Sequence, residues 1–142
     1  MFEFYKFVKG DGNSLTTEER LPATSGYVLY KGQALVVTGG ALFAATVGDI
    51  VYAISNVSAA SSVVTAAYYP EVFPVNENQV WKAPLSTAAT AAFLPGKQAD
   101  IGSVVSGTAV RGDFIGTGMY VYDYLSGDSP VSAAYVIFKY GI

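Results

Sequence analysis

The stretch Ala34-Leu35-Val36-Val37-Thr38-Gly39-Gly40-Ala41-Leu42-Phe43-Ala44 decides the fold class. Two short apolar runs meet at a Gly-Gly pair. Glycine takes the positive φ that a two-residue hairpin turn requires, so the stretch predicts a β-hairpin. The same grammar continues downstream. Gly48-Asp49 precedes Ile50-Val51-Tyr52-Ala53-Ile54, a buried strand by composition. Val72-Phe73-Pro74-Val75 reads as an edge strand, because proline cannot donate to a central ladder. Asn76-Glu77-Asn78 is a turn, and Gln79 to Ala83 is the next strand.

Upstream, Tyr27-Val28-Leu29-Tyr30 reads as a short strand, and residues 14–22 as polar loop. Residues 59–68 are alanine-rich, but Val63, Val64 and Thr65 are β-branched. Loop followed by strand is expected there rather than helix. Residues 86–95 read as a surface connection. The C-terminal end is strongly β. Met119 to Tyr124 places Tyr120, Tyr122 and Tyr124 on one face, Ser126-Gly127-Asp128 turns, and Val131 to Tyr140 closes the chain. In that last strand Tyr135, Ile137 and Lys139 alternate with Val136, Phe138 and Tyr140. Many short strands with regular turns predict an all-β, single compact domain of β-sandwich or barrel-like architecture.

Composition narrows function. The chain has 142 residues, the size of one domain, with no histidine and no cysteine, and 13% of its residues are charged. Histidine is the usual proton shuttle near neutral pH, and cysteine and histidine are the usual transition-metal ligands. Their absence, with no disulfide to staple the fold, points to a structural or binding protein and away from an enzyme, a metal site or a cofactor site. Soluble domains average about 25% charged residues, so a surface partly covered by partners is expected. Net charge is −3 and the eight Lys and Arg residues are scattered, which excludes a basic nucleic-acid patch. No apolar run is long enough for a membrane span. Met1 to Lys6 lacks the basic start and apolar core of a signal peptide, which predicts synthesis and assembly in a cytoplasm.

Three short motifs carry little. Leu21-Pro22-Ala23-Thr24-Ser25-Gly26 departs from a sortase signal, because Ser25 intervenes and the motif is not C-terminal. Asn56-Val57-Ser58 fits a glycosylation sequon without a secretion signal. Arg111-Gly112-Asp113 reads as a turn between strands. Carboxylate catalysis needs only two acids. Yet five of the eleven Asp and Glu residues neighbour glycine or proline, as turn residues do, and no pair stands out on neighbouring strands.

The aromatics are the candidate functional residues. Trp81 is expected as the core anchor, with an interface hot spot as the other reading. Phe2, Phe4, Tyr5 and Phe7 fall on both faces of any regular strand and are followed by Gly10-Asp11-Gly12-Asn13. Residues 1–13 are therefore read as an extended N-terminal arm that docks by strand addition, and residues 14–142 as the β-rich domain. Tyr120, Tyr122 and Tyr124 form the second candidate site, since tyrosine suits a boundary apolar on one side and wet on the other.

The middle of the chain resembles the small head decoration, or capsid cement, proteins of tailed phages. The residues that carry this are Gly32, Leu35, Gly40 and Ala45-Thr46-Val47-Gly48-Asp49, then Val72-Phe73-Pro74-Val75 through Pro84-Leu85-Ser86, then Ile101-Gly102-Ser103-Val104-Val105 and the closing strand Tyr135 to Tyr140. The resemblance spans roughly residues 26–140 as an ordered series of turns and strands. It implies a β-tulip-like domain on the outer capsid surface of a virion, assembled in a bacterial host's cytoplasm. Its partner would be the major capsid protein and its state a homotrimer, with no catalytic residues. The aromatic N-terminus and the tyrosine-rich end depart from the family pattern. A tail- or fibre-associated protein that binds host glycan through the tyrosines is the alternative, and a small carboxylate enzyme the third.

Overall fold

The computed structural model describes residues 1–10, 14–85, 95–96, 98–102, 107–111, 118–124 and 133–138, with Arg111 and Tyr124 described by backbone alone. The described residues contain ten strands and no helix. They are β1 Glu3–Phe7, β2 Ala34–Thr38, β3 Ala41–Ala44, β4 Ala53–Ser55, β5 Val72–Pro74, β6 Gln79–Pro84, β7 Gln98–Gly102, β8 Ala109–Arg111, β9 Met119–Tyr124 and β10 Ala133–Phe138. A six-stranded sheet runs β1-β6-β10-β9-β7-β8, and a four-stranded sheet runs β3-β2-β4-β5. All pairings between these strands are antiparallel. An isolated parallel bridge, Leu85 with Val110, brings the β8 edge back toward the end of β6. The sheet curls without closing into a barrel, so the architecture is layered.

The Gly-Gly hairpin forms as the sequence dictates. Thr38 pairs with Ala41, leaving Gly39 and Gly40 as the two turn residues at φ 58° and 81°. Both values lie in the left-handed region that a type I′ turn needs. Nothing crowds the Cβ position of Gly40, so its replacement meets backbone strain alone. Gly40→Val is expected to lower unfolding free energy by about 1–2 kcal/mol, read from the urea midpoint at unchanged slope.

The four-stranded sheet is buried on both faces. Ala34, Ile54 and the half-buried Val36 face the core between the two sheets, beside Trp81, Ile101, Val110, Met119, Val121, Val136 and Phe138. Leu35, Leu42, Ala53 and Val72 face a second core, closed by Ala23, Leu29, Tyr52 and Val64. This second core is roofed by irregular segments rather than by a third sheet. Backbone bonds tie the roof down: Glu18 with Val72 in both directions, Ala23 N–H to the Tyr68 carbonyl, and Leu29 with Ala59 in both directions. Burial on both faces explains why residues 34–36 read as a continuous apolar run rather than an alternating one, with Val37 beyond them exposed.

Several expectations are corrected. Ile50–Tyr52 precede the strand, which starts at Ala53, although Val51 and Tyr52 are buried as expected. Tyr27–Tyr30 contribute an isolated bridge at Leu29, and residues 59–68 hold a bridge and turns instead of a strand, because both serve as roof. Strands β7 and β8 were hidden by glycine, serine and a buried aspartate. Asp100 is fully buried on β7 and accepts bonds from the Gly48 N–H (2.9 and 3.0 Å to its two oxygens) and the Ile101 N–H (2.7 Å). Proline at an edge holds, since Pro74 lies on outermost strand β5. The connection at 86–94, the Gly112-Asp113 turn and the Ser126-Gly127-Asp128 turn lie outside the described residues.

The segment read from the sequence as an extended docking arm pairs within its own domain. Residues 3–7 form the edge strand of the larger sheet, paired along β6, and Phe2 is 2% exposed inside the inter-sheet core. Burying an aromatic side chain of this kind stabilises by roughly 1.5–3 kcal/mol, reason enough for the segment to fold back onto its own domain.

Candidate partner-binding face

Two irregularities in strand register build the site. In β1, Phe4 pairs with Trp81 and Lys6 with Val80, so Tyr5 is an extra residue, a β-bulge. A bulge inverts the alternation beyond it. Phe4 and Phe7, three apart, therefore share the core side, with ring centroids 4.9 Å apart. Tyr5 and Lys6 are left outside, and Tyr5 is 51% exposed. The bulge resolves the puzzle of aromatics on both faces: Phe2, Phe4 and Phe7 belong to the fold, and Tyr5 to the surface.

Strand β9 carries the second irregularity. Asp123 pairs with Tyr135 and Val121 with Val136, which makes Tyr122 the extra residue. Met119 and Val121 are buried while Tyr120 is 36% exposed and Tyr122 half-buried. Past the bulge, Tyr124 registers opposite the buried Ala134, and Asp123 opposite the outward Tyr135. The register of β9 thus shifts by one residue after Tyr122.

The fold gathers what the sequence scattered. Tyr5 from β1 packs on Tyr135 from β10 at 4.5 Å between ring centroids. The Lys6 ammonium sits 5.0 Å from the Tyr122 ring centre and 5.6 Å from that of Tyr5. Both distances suit cation–π attraction, worth about 0.5–1 kcal/mol at exposed sites. A hydrogen bond with Tyr122 raises the Lys6 ammonium above the ordinary lysine value, with the Tyr122 charge interaction second, so it stays charged throughout the neutral range. Glu3, Lys82 and Asp123 lie on the same outer face by register, giving two acids and two bases around the rings. Tyr135 was missed as a site residue. Its alternation with buried Val136 and Phe138 was the available signal.

Phe2, Phe4 and Phe7 stand apart from this face. Phe2 contacts Phe138 at 5.2 Å, and Phe4 meets Trp81 edge-on at 5.6 Å. Trp81 is 1% exposed, as a core anchor should be, and its indole N–H donates to Gln79 Oε1 at 3.2 Å.

The carboxylates with described bonds hold backbone and loops. Asp49 accepts from the Thr46 N–H and hydroxyl, Glu18 accepts from the Tyr52 hydroxyl, and Glu71 accepts from the Asn56 amide. That last bond occupies the side chain of the sequon asparagine. No group of three His, Cys, Asp or Glu residues able to hold a metal occurs among the described residues. No helix among them is long and apolar enough to cross a membrane. No protein-family model, curated protein or solved structure matches this chain.

Proposed function

We propose that this protein is a virion structural protein that decorates the outer capsid surface and stabilises the expanded head by binding major capsid proteins. The observation that carries the reading is the outer face of the six-stranded sheet. Tyr5 packs on Tyr135 there, the Lys6 ammonium lies over the Tyr5 and Tyr122 rings, Tyr120 stands exposed on β9, and two acids and two bases share the face by register. Tyrosine gives large contact area at low entropic cost, and hot spots at protein interfaces are enriched in it. The ordered resemblance over residues 26–140, the all-β architecture and the low charge support the same reading. The β-tulip-like variant of the sandwich, the homotrimer on the capsid and the virion location belong to this proposal. So does strand addition by the N-terminal segment, whose outer edge is an end of the sheet. The mechanism is mass action: a protein that binds only the expanded shell stabilises that state, and many copies multiply modest contacts.

Co-sedimentation with expanded, undecorated heads tests it. The full chain is expected to bind saturably at a fixed copy number. Tyr5→Ala combined with Tyr122→Ala is expected to weaken binding by roughly tenfold or more while the thermal melt stays close to that of the parent. Failure of the parent chain to bind any head would sink the capsid reading. The exposed rings of Tyr5 and Tyr120 would then favour the tail- or fibre-associated, glycan-binding alternative, tested on glycan arrays with the same double variant.

A further inference from the structure

A pocket of about 430 Å³ lies between the end strands of the two sheets. The larger sheet lines it through Phe4 on β1 and Trp81 on β6, the smaller through Ile54 on β4 and Phe73 on β5. The inter-sheet core reaches the surface here. Phe2 and Trp81 are buried beneath the pocket, while Phe4, Leu15 and Phe73 are half-buried at its walls. The rings are tilted against one another, Phe4 to Trp81 at 76° and Phe73 to Trp81 at 50°, an arrangement that a further ring can join edge to face.

A turn sets a charge at the mouth. The Gln33 N–H donates to the Tyr30 carbonyl (3.0 Å), with Lys31 and Gly32 between them and Gly32 at φ 79°, the value that a type II turn needs. The Gly32 N–H donates to the Ser55 carbonyl (2.8 Å) and the Lys31 N–H to the Ser58 hydroxyl (2.8 Å), which fastens the turn beside the pocket. The Lys31 ammonium makes no ion pair among the described residues. Glu3, the other charged residue of the lining, faces Lys82 across the β1–β6 ladder.

We propose that this pocket binds a small aromatic acid, one or two rings carrying a carboxylate or sulfonate. Its volume sets the size. Ligand pockets run about 300–1,000 Å³, and an engineered apolar cavity of about 150 Å³ takes one benzene ring. The space suits rings and is too small for a folded segment of another chain. The walls favour a ring over an alkyl chain, because aromatic pairs attract beyond the area they bury. Lys31 selects the sign: an anion at the mouth gains a charge-assisted hydrogen bond, and a cation is repelled.

This inference does not rest on capsid binding, and its test contains no capsid. The full chain is titrated with 2-naphthylacetate, followed by calorimetry and by the indole N–H resonance of Trp81, the only tryptophan. Saturable binding that moves this resonance is expected. 2-Naphthylethanol keeps the rings without the charge, and octanoate keeps the charge without the rings. Each is expected to bind roughly threefold or more weakly. Lys31→Met is expected to weaken 2-naphthylacetate to the same extent and to leave 2-naphthylethanol unchanged. Lys31 is exposed, so the variant's thermal melt should match the parent's. Leu15→Phe, which fills the pocket from its wall, is expected to abolish binding. A parent chain that binds no 2-naphthylacetate at millimolar concentration overturns the proposal. So does octanoate binding as tightly, or a Lys31→Met chain that binds 2-naphthylacetate as the parent does.

Discussion

Trp81→Ala is expected to lower the unfolding free energy by about 3–5 kcal/mol, the range for removing a large buried aromatic. The indole sits on the core side of β6 between the two sheets. Phe4 meets it at 5.6 Å and Phe73 at 6.1 Å, so β1 and β5 both lose a packing surface. The substitution also takes one of two donors from the Oε1 of buried Gln79, which accepts from the indole N–H and the Asn76 N–H while its Nε2 donates to the Pro74 carbonyl. Trp81→Phe keeps most of the contact area but leaves the Gln79 oxygen short of one donor. It should therefore cost less, about 1–3 kcal/mol. Urea unfolding of the three proteins, followed by far-UV circular dichroism since the only tryptophan is the residue replaced, gives the order directly. Equal losses for Ala and Phe would show that the hydrogen bond, and not the packing, dominates this site.

Deletion of residues 1–9 is expected to destabilise the domain by more than Phe2→Ala alone, which should cost about 3–5 kcal/mol. The truncation removes an entire strand. Phe2 leaves its contact with Phe138, and Phe4 leaves Trp81. The bonds from Phe2 N–H to Gly32 (2.7 Å) and from Val8 N–H to Asn78 (2.8 Å) are lost as well. Gly32 is where the segment is seated: a Cβ there would lie 2.5 Å from Met1 Cβ and 2.8 Å from the Phe2 carbonyl oxygen. The pocket of about 430 Å³ lined in part by Phe2, Phe4, Leu15, Ile54, Phe73 and Trp81 would lose its N-terminal wall. The expected fall in melting temperature is on the order of 10 °C or more. A truncated chain that melts within a degree or two of the parent would mean that β1 is an accessory strand and that its docking role can be tested by deletion. With the predicted loss, attachment must be tested by surface substitutions such as Tyr5→Ala, because a truncation would confuse unfolding with lost binding.

The two bulges account for most of what the sequence left open at the site. Strict period-two reading assigns Phe4 and Phe7 to opposite faces and Tyr122 and Tyr124 to the same one. A single extra residue in each strand shifts the register, so that Phe4 and Phe7 share the core side and the backbone of Tyr124 pairs with Ala134. Bulges leave no reliable mark in sequence, since Tyr5 and Tyr122 are ordinary strand formers. The roof was invisible for a related reason. Tyr27–Tyr30 and Val63–Thr65 have strand composition, but their partners are each other and the face of a sheet already complete. Leu29 makes one bridge, to Ala59, and Val64 accepts one bond from the Gly26 N–H, in place of a ladder.

From the amino-acid sequence alone follow the all-β class, the Gly-Gly hairpin, the edge position of the proline strand, the core role of Trp81 and the buried side of the last strand. Each rests on local chemistry: the φ that glycine permits, the N–H that proline lacks, the partner an indole needs and the alternation of a pleated chain. Tertiary structure decided that the N-terminal aromatics belong to an edge strand, that Tyr5, Tyr122 and Tyr135 share a face, and that the smaller sheet is buried on both sides. Those outcomes depend on which strands pair across long sequence separations, Phe4 with Trp81 and Ala134 with Ala83 among them, and on one-residue shifts in register that only the pairing itself selects.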